Sequence, residues 1–266
     1  MNKIDTFRKP FGNRTDGRGT RGSVLAWQHA GVPAAAVLEV TRLERLHVGG
    51  AAVDGVDLCV SAGECVAVLG ANGSGKSTLL RLVTGRDLPS SGQVRLQGDL
   101  VTPARPGLRA AVASAGDDSA SYPDLTVREH LELVATAHGA GAQVGVTVEA
   151  ALGEWELAGC ADAFPSTLSA GQLQKLFLAA AFVRPRELLV LDEPEQRLDL
   201  RMRRRLASRL QRETADGVAV LVATHSRELA EQVADRVLVL EQGRVTHLGA
   251  TRTVLADLDR NEASGL

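Results

Sequence analysis

The chain has 266 residues, 44% of them hydrophobic, and a formal net charge of -2 at pH 7. This length suits one large domain or two small ones, and so small a net charge gives no reason to expect a nucleic-acid partner. No stretch approaches about eighteen consecutive apolar residues, and the N-terminus lacks the apolar core of a signal peptide. The sequence therefore predicts a cytoplasmic protein without a membrane-spanning helix.

The N-terminal segment, residues 1–36, is predicted to be a disordered basic tail. Its sequence "MNKIDTFRKPFGNRTDGRGTRGS" is rich in Gly, Arg, Asn and Thr and shows no hydrophobic period. Such a segment is usually a solvated tail, and contact with lipid headgroups or RNA is the alternative.

From residue 37 onwards the pattern predicts strands. "AVLEVTRLERL" and "VDGVDLCV" are typical of strands, and "CVAVL" is a continuous apolar run that indicates a strand buried on both faces. A helix is predicted from Gly75 to Gly85, followed by further strands in "GQVRLQGDL" and "LRAAVASAG".

The loop between the buried strand and this helix predicts a nucleotide site. "GANGSGKST" fits the pattern G-x-x-x-x-G-K-[ST], in which glycines let backbone amides approach phosphate oxygens. Lys76 supplies a charge to the β- and γ-phosphates, and the Ser77 hydroxyl reaches Mg²⁺. The predicted ATP-binding residues of this loop are Gly70, Ala71, Asn72, Gly73, Ser74, Gly75, Lys76, Ser77 and Thr78.

The middle of the chain is predicted to be helical. Between Tyr122 and about Pro165 strand signals are absent, and Thr126 with Glu129 forms a capping-box pattern. The next helix starts at "LSAGQ", where Ser and Gly amides indicate a second anion site. Its apolar spacing predicts one core-facing stripe, made of Leu173, Leu176, Phe177, Ala180 and Ala181.

An acidic pair follows the next buried strand, in "LLVLDEP". Asp192 is expected to hold Mg²⁺ through its hydration shell, and Glu193 to polarise a water for attack on the γ-phosphate. A strand-ending turn before Pro194 is the bland alternative.

The helix "RMRRRLASRLQRE" carries six arginines. The sequence favours a solvated face, with Met202, Leu206 and Leu210 packing inward, over a nucleic-acid stripe. Strands in "VAVLVAT" and "RVLVLEQGRVTHLG" follow, so alternating strands and helices predict an α/β fold with a largely parallel sheet.

The order of these motifs resembles the nucleotide-binding subunits of ABC transporters over residues 37–249. The motifs are "GANGSGKST", "LSAGQ", "LLVLDEP", "RLD" and "VATHS". The resemblance implies a P-loop NTPase fold of the ABC-ATPase type, with a mainly parallel sheet, an N-terminal antiparallel β portion and a helical signature subdomain. It also implies ATP and Mg²⁺ as cofactors.

The resemblance assigns roles to residues that other patterns leave open. Members bind ATP between two subunits arranged head to tail, so the signature motif would serve a second chain's nucleotide. His225, which alone would be read as structural, would contact the γ-phosphate, and Asp199 would lie at the interface. The implied catalytic residues are Glu193, His225 and Lys76. The implied signature residues are Leu168, Ser169, Ala170, Gly171 and Gln172.

Three positions depart from the family pattern. Ala170 stands where the signature usually has Gly. Asp117 stands where a glutamine contacts Mg²⁺, and it is expected to act as a metal ligand with Ser77 and Asp192. A solvated loop at "GDD" is the alternative. His47 stands where an aromatic residue stacks on adenine, so it is expected to bind the base over a smaller area.

The sequence is therefore expected to be an ATP-hydrolysing subunit of an ABC transporter, with export as the expected direction. Its partners would be a separate transmembrane permease and a homodimeric or related ATPase subunit, on the inner face of the cell membrane. A soluble ABC ATPase acting on ribosome or DNA, and a non-catalytic regulatory cassette, are the alternatives. The expected domains are the tail (1–36), an ATP-binding domain (37–250, helical subdomain about 117–184) and a C-terminal helix and tail (251–266).

Overall fold

The computed structural model describes residues 36–47, 50–104, 107–116 and 119–263. The predicted tail, except residue 36, and Asp117 lie outside these described residues, and His47 is described in its backbone only. None of the described helices is both long enough and apolar enough to cross a membrane.

The described strands form two sheets. The strand ranges are β1 Ala36–His47, β2 Gly50–Ser61, β3 Cys65–Leu69, β4 Ser91–Leu96, β5 Asp99–Leu100, β6 Val112–Ala115, β7 Leu188–Asp192, β8 Ala219–Thr224, β9 Arg236–Glu241 and β10 Arg244–Ala250. The N-terminal sheet has the order β2-β1-β4-β5 and is antiparallel. The central sheet has the order β10-β9-β3-β8-β7-β6 and is parallel except for β10.

Helices connect the strands of the central sheet. The helix ranges are α1 Lys76–Val83, α2 Leu108–Ala111, α3 Val127–Ala137, α4 Val144–Glu154, α5 Ala170–Phe182, α6 Leu200–Ala215, α7 Arg227–Val233 and α8 Thr251–Ala263. The predicted helical middle segment is confirmed, since α3 and α4 lie there. The capping box of Thr126 and Glu129 is also present, and its hydrogen bonds lower the pKa of Glu129.

Two of the predicted strand segments are different in the structure. "GQVRLQGDL" contains two strands, β4 and β5, because Gln97 and Gly98 adopt positive φ and form a tight hairpin turn. In "LRAAVASAG" the first four residues form the helical turn α2, and only Val112–Ala115 is a strand. Alanines favour the helical conformation at this point, and the amides of Ala110 and Ala111 close the turn on the Gly107 carbonyl.

Two hydrophobic cores lie on either side of the central sheet. One core joins the sheet to α3, α4, α5 and α6, and the other joins it to α1 and the N-terminal sheet. Side chains of β3 alternate between them, since Cys65 and Ala67 belong to the first core and Val66 and Val68 to the second. All five β3 residues are buried, as its continuous apolar run predicts.

Helix α5 is buried more widely than the predicted stripe. Leu176 and Ala181 are buried, but Leu173, Phe177 and Ala180 are only half-buried. The other buried residues are Gln174, Leu178, Ala179 and Phe182. The stripe itself is confirmed, because all five predicted residues lie in the first core or pack against it. The further burial arises because α5 lies between β6 and the helices α3 and α4.

The predicted solvated face of α6 is confirmed, since Arg201, Arg203, Arg204 and Arg212 are exposed. Met202, Leu206 and Leu210 pack inward and are fully buried. Several arginines, however, form ion pairs with carboxylates near the end of α4. The pairs are Arg209 and Arg212 with Glu154, at 3.1 and 2.9 Å, and Arg201 and Arg205 with Glu156, at 3.1 and 3.6 Å.

Candidate functional site

The phosphate loop connects the end of β3 to the start of α1. Gly75 adopts φ +107, and a Cβ there would meet the Ala52 carbonyl oxygen at 2.1 Å, so only glycine fits. The Lys76 ammonium donates to the carbonyls of Gly70 at 2.8 Å and Ala71 at 3.2 Å. The first amides of α1 have no acceptor within the helix, so loop and helix together present donors suited to phosphate.

The ends of two neighbouring parallel strands bring Glu193 and His225 beside this loop. Glu193 follows β7 and His225 follows β8, and these strands pair in register, with Asp192 opposite Ala223. The Glu193 carboxylate lies 3.4 Å from the Lys76 ammonium and 2.5 Å from His225 Nδ1. Lys76 and His225 therefore both contact the Glu193 carboxylate, although the three predicted catalytic residues are far apart in the chain.

The backbone at Glu193 is in an unusual conformation. Its φ is +47, a region that costs free energy for a residue with a side chain. A hydrogen bond of 2.8 Å from the Glu193 amide to the Ala223 carbonyl holds this conformation. The turn therefore directs the carboxylate toward Lys76 and His225 instead of continuing along the strand.

Two of the three predicted metal ligands line the same cleft. Ser77 and Asp192 line this open cleft, together with Gly116. A hydroxyl and a carboxylate are hard oxygen donors of the kind that Mg²⁺ prefers, so this donor set fits the ion. A Cβ at Gly116 would meet the Asp192 Cβ at 2.7 Å, so the residue just before Asp117 packs directly against Asp192.

Glu195 is a buried carboxylate that the sequence reasoning missed. Glu195 is 4% exposed, and its carboxylate accepts a hydrogen bond from the Thr224 hydroxyl. Burial raises its pKa, and the hydrogen bond from Thr224 opposes that effect. Ligand atoms of Glu195, Glu193 and His225 all lie within 4.8 Å of one another. The only signal in the sequence that could have pointed to Glu195 as a site residue is its position three residues after Asp192.

The signature motif forms the exposed start of α5. Ser169 is its N-cap and makes a capping box with Gln172, through bonds of 3.2 and 2.9 Å. The Ser169 hydroxyl accepts in this box, which leaves its proton available to a second acceptor. Ala170 is the first helical residue and has no positive φ, so the methyl group that replaces the usual glycine causes no backbone strain.

The signature helix contacts the acidic turn of the same chain. A Cβ at Gly171 would meet the Arg197 carbonyl oxygen at 2.9 Å, so this glycine permits a close approach. The buried Gln174 side chain donates to the Pro194 carbonyl at 3.2 Å. Among the hydrogen bonds and ion pairs of the described residues, none joins 168–172 to the phosphate loop, 70–78.

The other predicted site residues occupy distinct positions. Asp199 is the N-cap of α6, where its carboxylate accepts from the Met202 amide at 2.8 Å. His47 is the last residue of β1 and pairs with Gly50 on β2. Ala52, two residues after Gly50, contacts the phosphate loop at Gly75 through its carbonyl group. The hairpin end is thus adjacent to the nucleotide loop.

Comparison with known proteins identifies the family. A family model described as "ABC transporter" matches residues 53–196, and a second, described as "AAA domain, putative AbiEii toxin, Type IV TA system", matches residues 164–231. The chain is 35% identical over 222 residues to Nod factor export ATP-binding protein I of Paraburkholderia xenovorans, which covers 83% of this chain and 73% of that protein. It is 36% identical over 214 residues to sulfate/thiosulfate import ATP-binding protein CysA 2 of Chromobacterium violaceum, and this match covers 80% of this chain and 57% of that protein.

Solved structures show the same fold. The structure of an ATP-binding subunit of an ABC transporter superposes with a TM-score of 0.77 at 29% identity, covering 84% of this chain and 93% of that chain. The dimeric structure of MJ0796, a bacterial ABC transporter cassette, superposes with a TM-score of 0.74 at 25% identity. The superposition covers 81% of this chain and 99% of that chain. The phosphate loop, the acidic turn and the overall fold thus have one explanation: this chain belongs to the ABC transporter family, as an ATP-binding ATPase subunit.

Proposed function

We propose that this chain hydrolyses ATP with Mg²⁺ to drive export through a separate membrane subunit, and that two such ATPase subunits close head to tail around the nucleotides. The observation that carries the proposal is the meeting of Lys76, Glu193 and His225 at one carboxylate beside the phosphate loop. A base and two groups that can donate to phosphate oxygens are the chemistry that γ-phosphate hydrolysis needs.

Each residue at this point has a proposed role. Glu193 orients the attacking water and accepts its proton, because its carboxylate is an acceptor held in place by the strained turn. Lys76 and His225 donate to the γ-phosphate, whose charge they offset. The amides of the loop between Gly70 and Thr78 bind the remaining phosphate oxygens, and His47 contacts the base.

The metal site is also a proposal. Ser77 and Asp192 would hold Mg²⁺ from two sides of the cleft that they line, and Asp117, next to Gly116, would add a third oxygen. The ion offsets phosphate charge when it is bound. Asp117→Ala would leave partner-stimulated ATPase activity intact if this aspartate had no such role.

The exposed signature motif supports the paired arrangement. Residues 168–172 make no hydrogen bond or ion pair with this chain's own loop at 70–78, yet they present amides and the Ser169 hydroxyl at the start of a helix. A second subunit's nucleotide is the ligand that this arrangement would serve. The dimeric bacterial cassette with the same fold supports this step.

The direction of transport and the location are proposed from relatives. Similarity to Nod factor export proteins favours export, although a sulfate/thiosulfate import protein is similarly related. The chain would lie at the inner face of the cell membrane through its permease. We also propose the domain limits 37–250 and 251–266 for the ATP-binding domain and the C-terminal helix with its tail.

The enzymatic proposal is tested by replacing the base. We expect Glu193→Gln to bind ATP with about the parent affinity and to reduce ATP turnover by about 100-fold or more, since it removes the proton acceptor. Glu231→Gln, at an exposed position on α7, is the matched control and should hydrolyse ATP normally. Parent-like turnover by Glu193→Gln would refute the assigned base.

The transport proposal is tested by affinity purification of the tagged chain from gently solubilised native membranes. Near-stoichiometric recovery of a polytopic membrane protein is the expected result. Recovery with ribosomal proteins or DNA, and without a membrane protein, would contradict the proposal and would favour a soluble ABC ATPase.

A further inference from the structure

A chain of buried hydrogen bonds lies next to the proposed catalytic pair, Glu193 and His225. Glu195 is 4% exposed and Thr224 is fully buried, and the Thr224 hydroxyl donates to Glu195 Oε1. The same hydroxyl oxygen accepts from the Ser226 amide at 2.9 Å. The Thr224 hydroxyl therefore uses its proton to bond Glu195 and one of its acceptor positions to bond Ser226.

These contacts hold the turn that carries His225. Thr224 is the last residue of β8 and Ser226 is the N-cap of α7, where its hydroxyl accepts from the Leu229 amide at 3.2 Å. His225 is thus the one residue between two anchored neighbours. Its own side chain is 58% exposed, so packing does little to orient the imidazole.

The turn that carries Glu193 is held against the same strand end. The Glu193 amide donates to the Ala223 carbonyl at 2.8 Å, and Gln174 from the signature helix donates to the Pro194 carbonyl at 3.2 Å. Glu195 completes this attachment through Thr224. Ligand atoms of Glu195 lie within 4.8 Å of the pair formed by Glu193 and His225, whose own contact is 2.5 Å long.

We propose that Glu195 is a positioning residue for ATP hydrolysis, which acts through the Thr224 hydroxyl to hold His225 against Glu193. This inference rests on the proposed roles of Glu193 and His225. The position requires a hydrogen-bond acceptor that reaches Thr224, and a glutamine carbonyl meets that requirement as well as a carboxylate does. An apolar side chain of similar size would leave the buried hydroxyl without its acceptor and free the turn to move.

The proposal is tested with two pairs of variants in the full-length chain. Glu195→Met and Thr224→Val remove the link, whereas Glu195→Gln and Thr224→Ser keep it. We expect the first pair to lower kcat by about 10-fold or more, while the Kd for ATP, measured in EDTA, changes less than about threefold. The second pair should stay within about threefold of the parent in both quantities.

A mutant cycle distinguishes positioning from general damage to the fold. In a His225→Ala background, Glu195→Met should lower kcat by less than about twofold further, because its effect passes through His225. A full additional loss would overturn the proposal. So would an active Glu195→Met enzyme, or a Glu195→Gln enzyme that folds and binds ATP but is as slow as Glu195→Met. If Glu195→Met does not fold, Thr224→Val provides the same test.

Failure of this inference is distinguishable from failure of the proposed function. Glu193→Gln is assayed in parallel. If it abolishes turnover while Glu195→Met remains active, only the positioning role is wrong. If Glu193→Gln retains turnover, the proposed catalytic base is wrong.

Discussion

Single residues at this site combine structural and functional demands. Asp199 caps α6 through the Met202 amide, and the resemblance also gives it an interface role. Gly171 closely approaches the Arg197 carbonyl, whereas Ala170 beside it accommodates a methyl group. Because each demand belongs to particular atoms, conservative substitutions can separate them.

At Asp199, the cap and the charge are separable. Asp199→Asn keeps a side-chain oxygen for the Met202 amide and should keep the free energy of unfolding, whereas Asp199→Ala should lower it by about 1 kcal/mol. Both should reduce ATP turnover if the charge acts at an interface between subunits. Chemical denaturation and ATPase assays of both variants provide the measurement. Full turnover by Asp199→Asn would mean that Asp199 acts only as the N-cap of α6.

The signature motif contains a second matched pair. Gly171→Ala should reduce ATP turnover by about 10-fold or more, because its methyl group would push the helix start away from the Arg197 carbonyl, 2.9 Å from the added carbon. Ala170→Gly should leave turnover within about twofold, since residue 170 has ordinary helical geometry. Equal effects of the two substitutions on turnover would contradict this close-contact argument.

Among the elements, α6 links the helical middle segment to the central sheet. Its buried face packs through Met202, Leu206 and Leu210, and its arginines reach Glu154 at the end of α4 and Glu156 just beyond it. The Arg209 guanidinium also lies 4.9 Å from the centre of the Phe182 ring on α5. Arg209 thus contacts both α4 and α5, the helix that begins in the signature motif.

The ion pairs of α6 should contribute measurable stability. Glu154→Gln should lower the free energy of unfolding by about 1 kcal/mol at low salt, because it weakens contacts to both Arg209 and Arg212. The difference from the parent should shrink in 1 M NaCl, where charge interactions are screened. Glu231→Gln, on an exposed face of α7, is the control. Unfolding curves at both salt concentrations test this, and a difference that salt leaves unchanged would argue against an electrostatic cause.

Across the whole molecule, the parallel strands place the site at one edge of the central sheet. β3, β7 and β8 end beside one another, and the phosphate loop, the acidic turn and the His225 turn follow them. The signature motif starts α5, which packs against β6 and the helices α3 and α4 and reaches the acidic turn through Gln174 and Gly171. This division of phosphate-binding groups would explain why one chain carries two anion sites, if the signature motif serves a second subunit's nucleotide as proposed.

The division predicts nucleotide-dependent assembly. Glu193→Gln with Mg²⁺ and ATP should shift from monomer to dimer in light-scattering chromatography, because bound ATP would be retained between two chains. Adding Ser169→Arg should abolish the shift, since a long side chain would fill the helix start. ADP is the nucleotide control and should leave the protein monomeric. A monomer under every condition would exclude ATP-driven pairing of identical chains.

The sequence by itself determined the parts of this protein that depend on local pattern. The continuous apolar run of β3, the glycines of the following loop and the Thr126 capping box each set the backbone within a few residues. The alternation of strands and helices also predicted the α/β class. The motif order predicted the family, and comparison with known proteins confirmed it.

Only the tertiary structure decided which distant groups meet. The burial of Glu195 and its bond to Thr224, the contact of Gln174 with Pro194 and the pairing of α6 arginines with Glu154 join segments 20 to 58 residues apart. The burial of α5 residues outside the predicted stripe has the same cause, because sequence periodicity shows which faces are apolar but not how many neighbours cover them. Long-range packing of the sheet against its helices, which no short window of sequence records, brings these groups together.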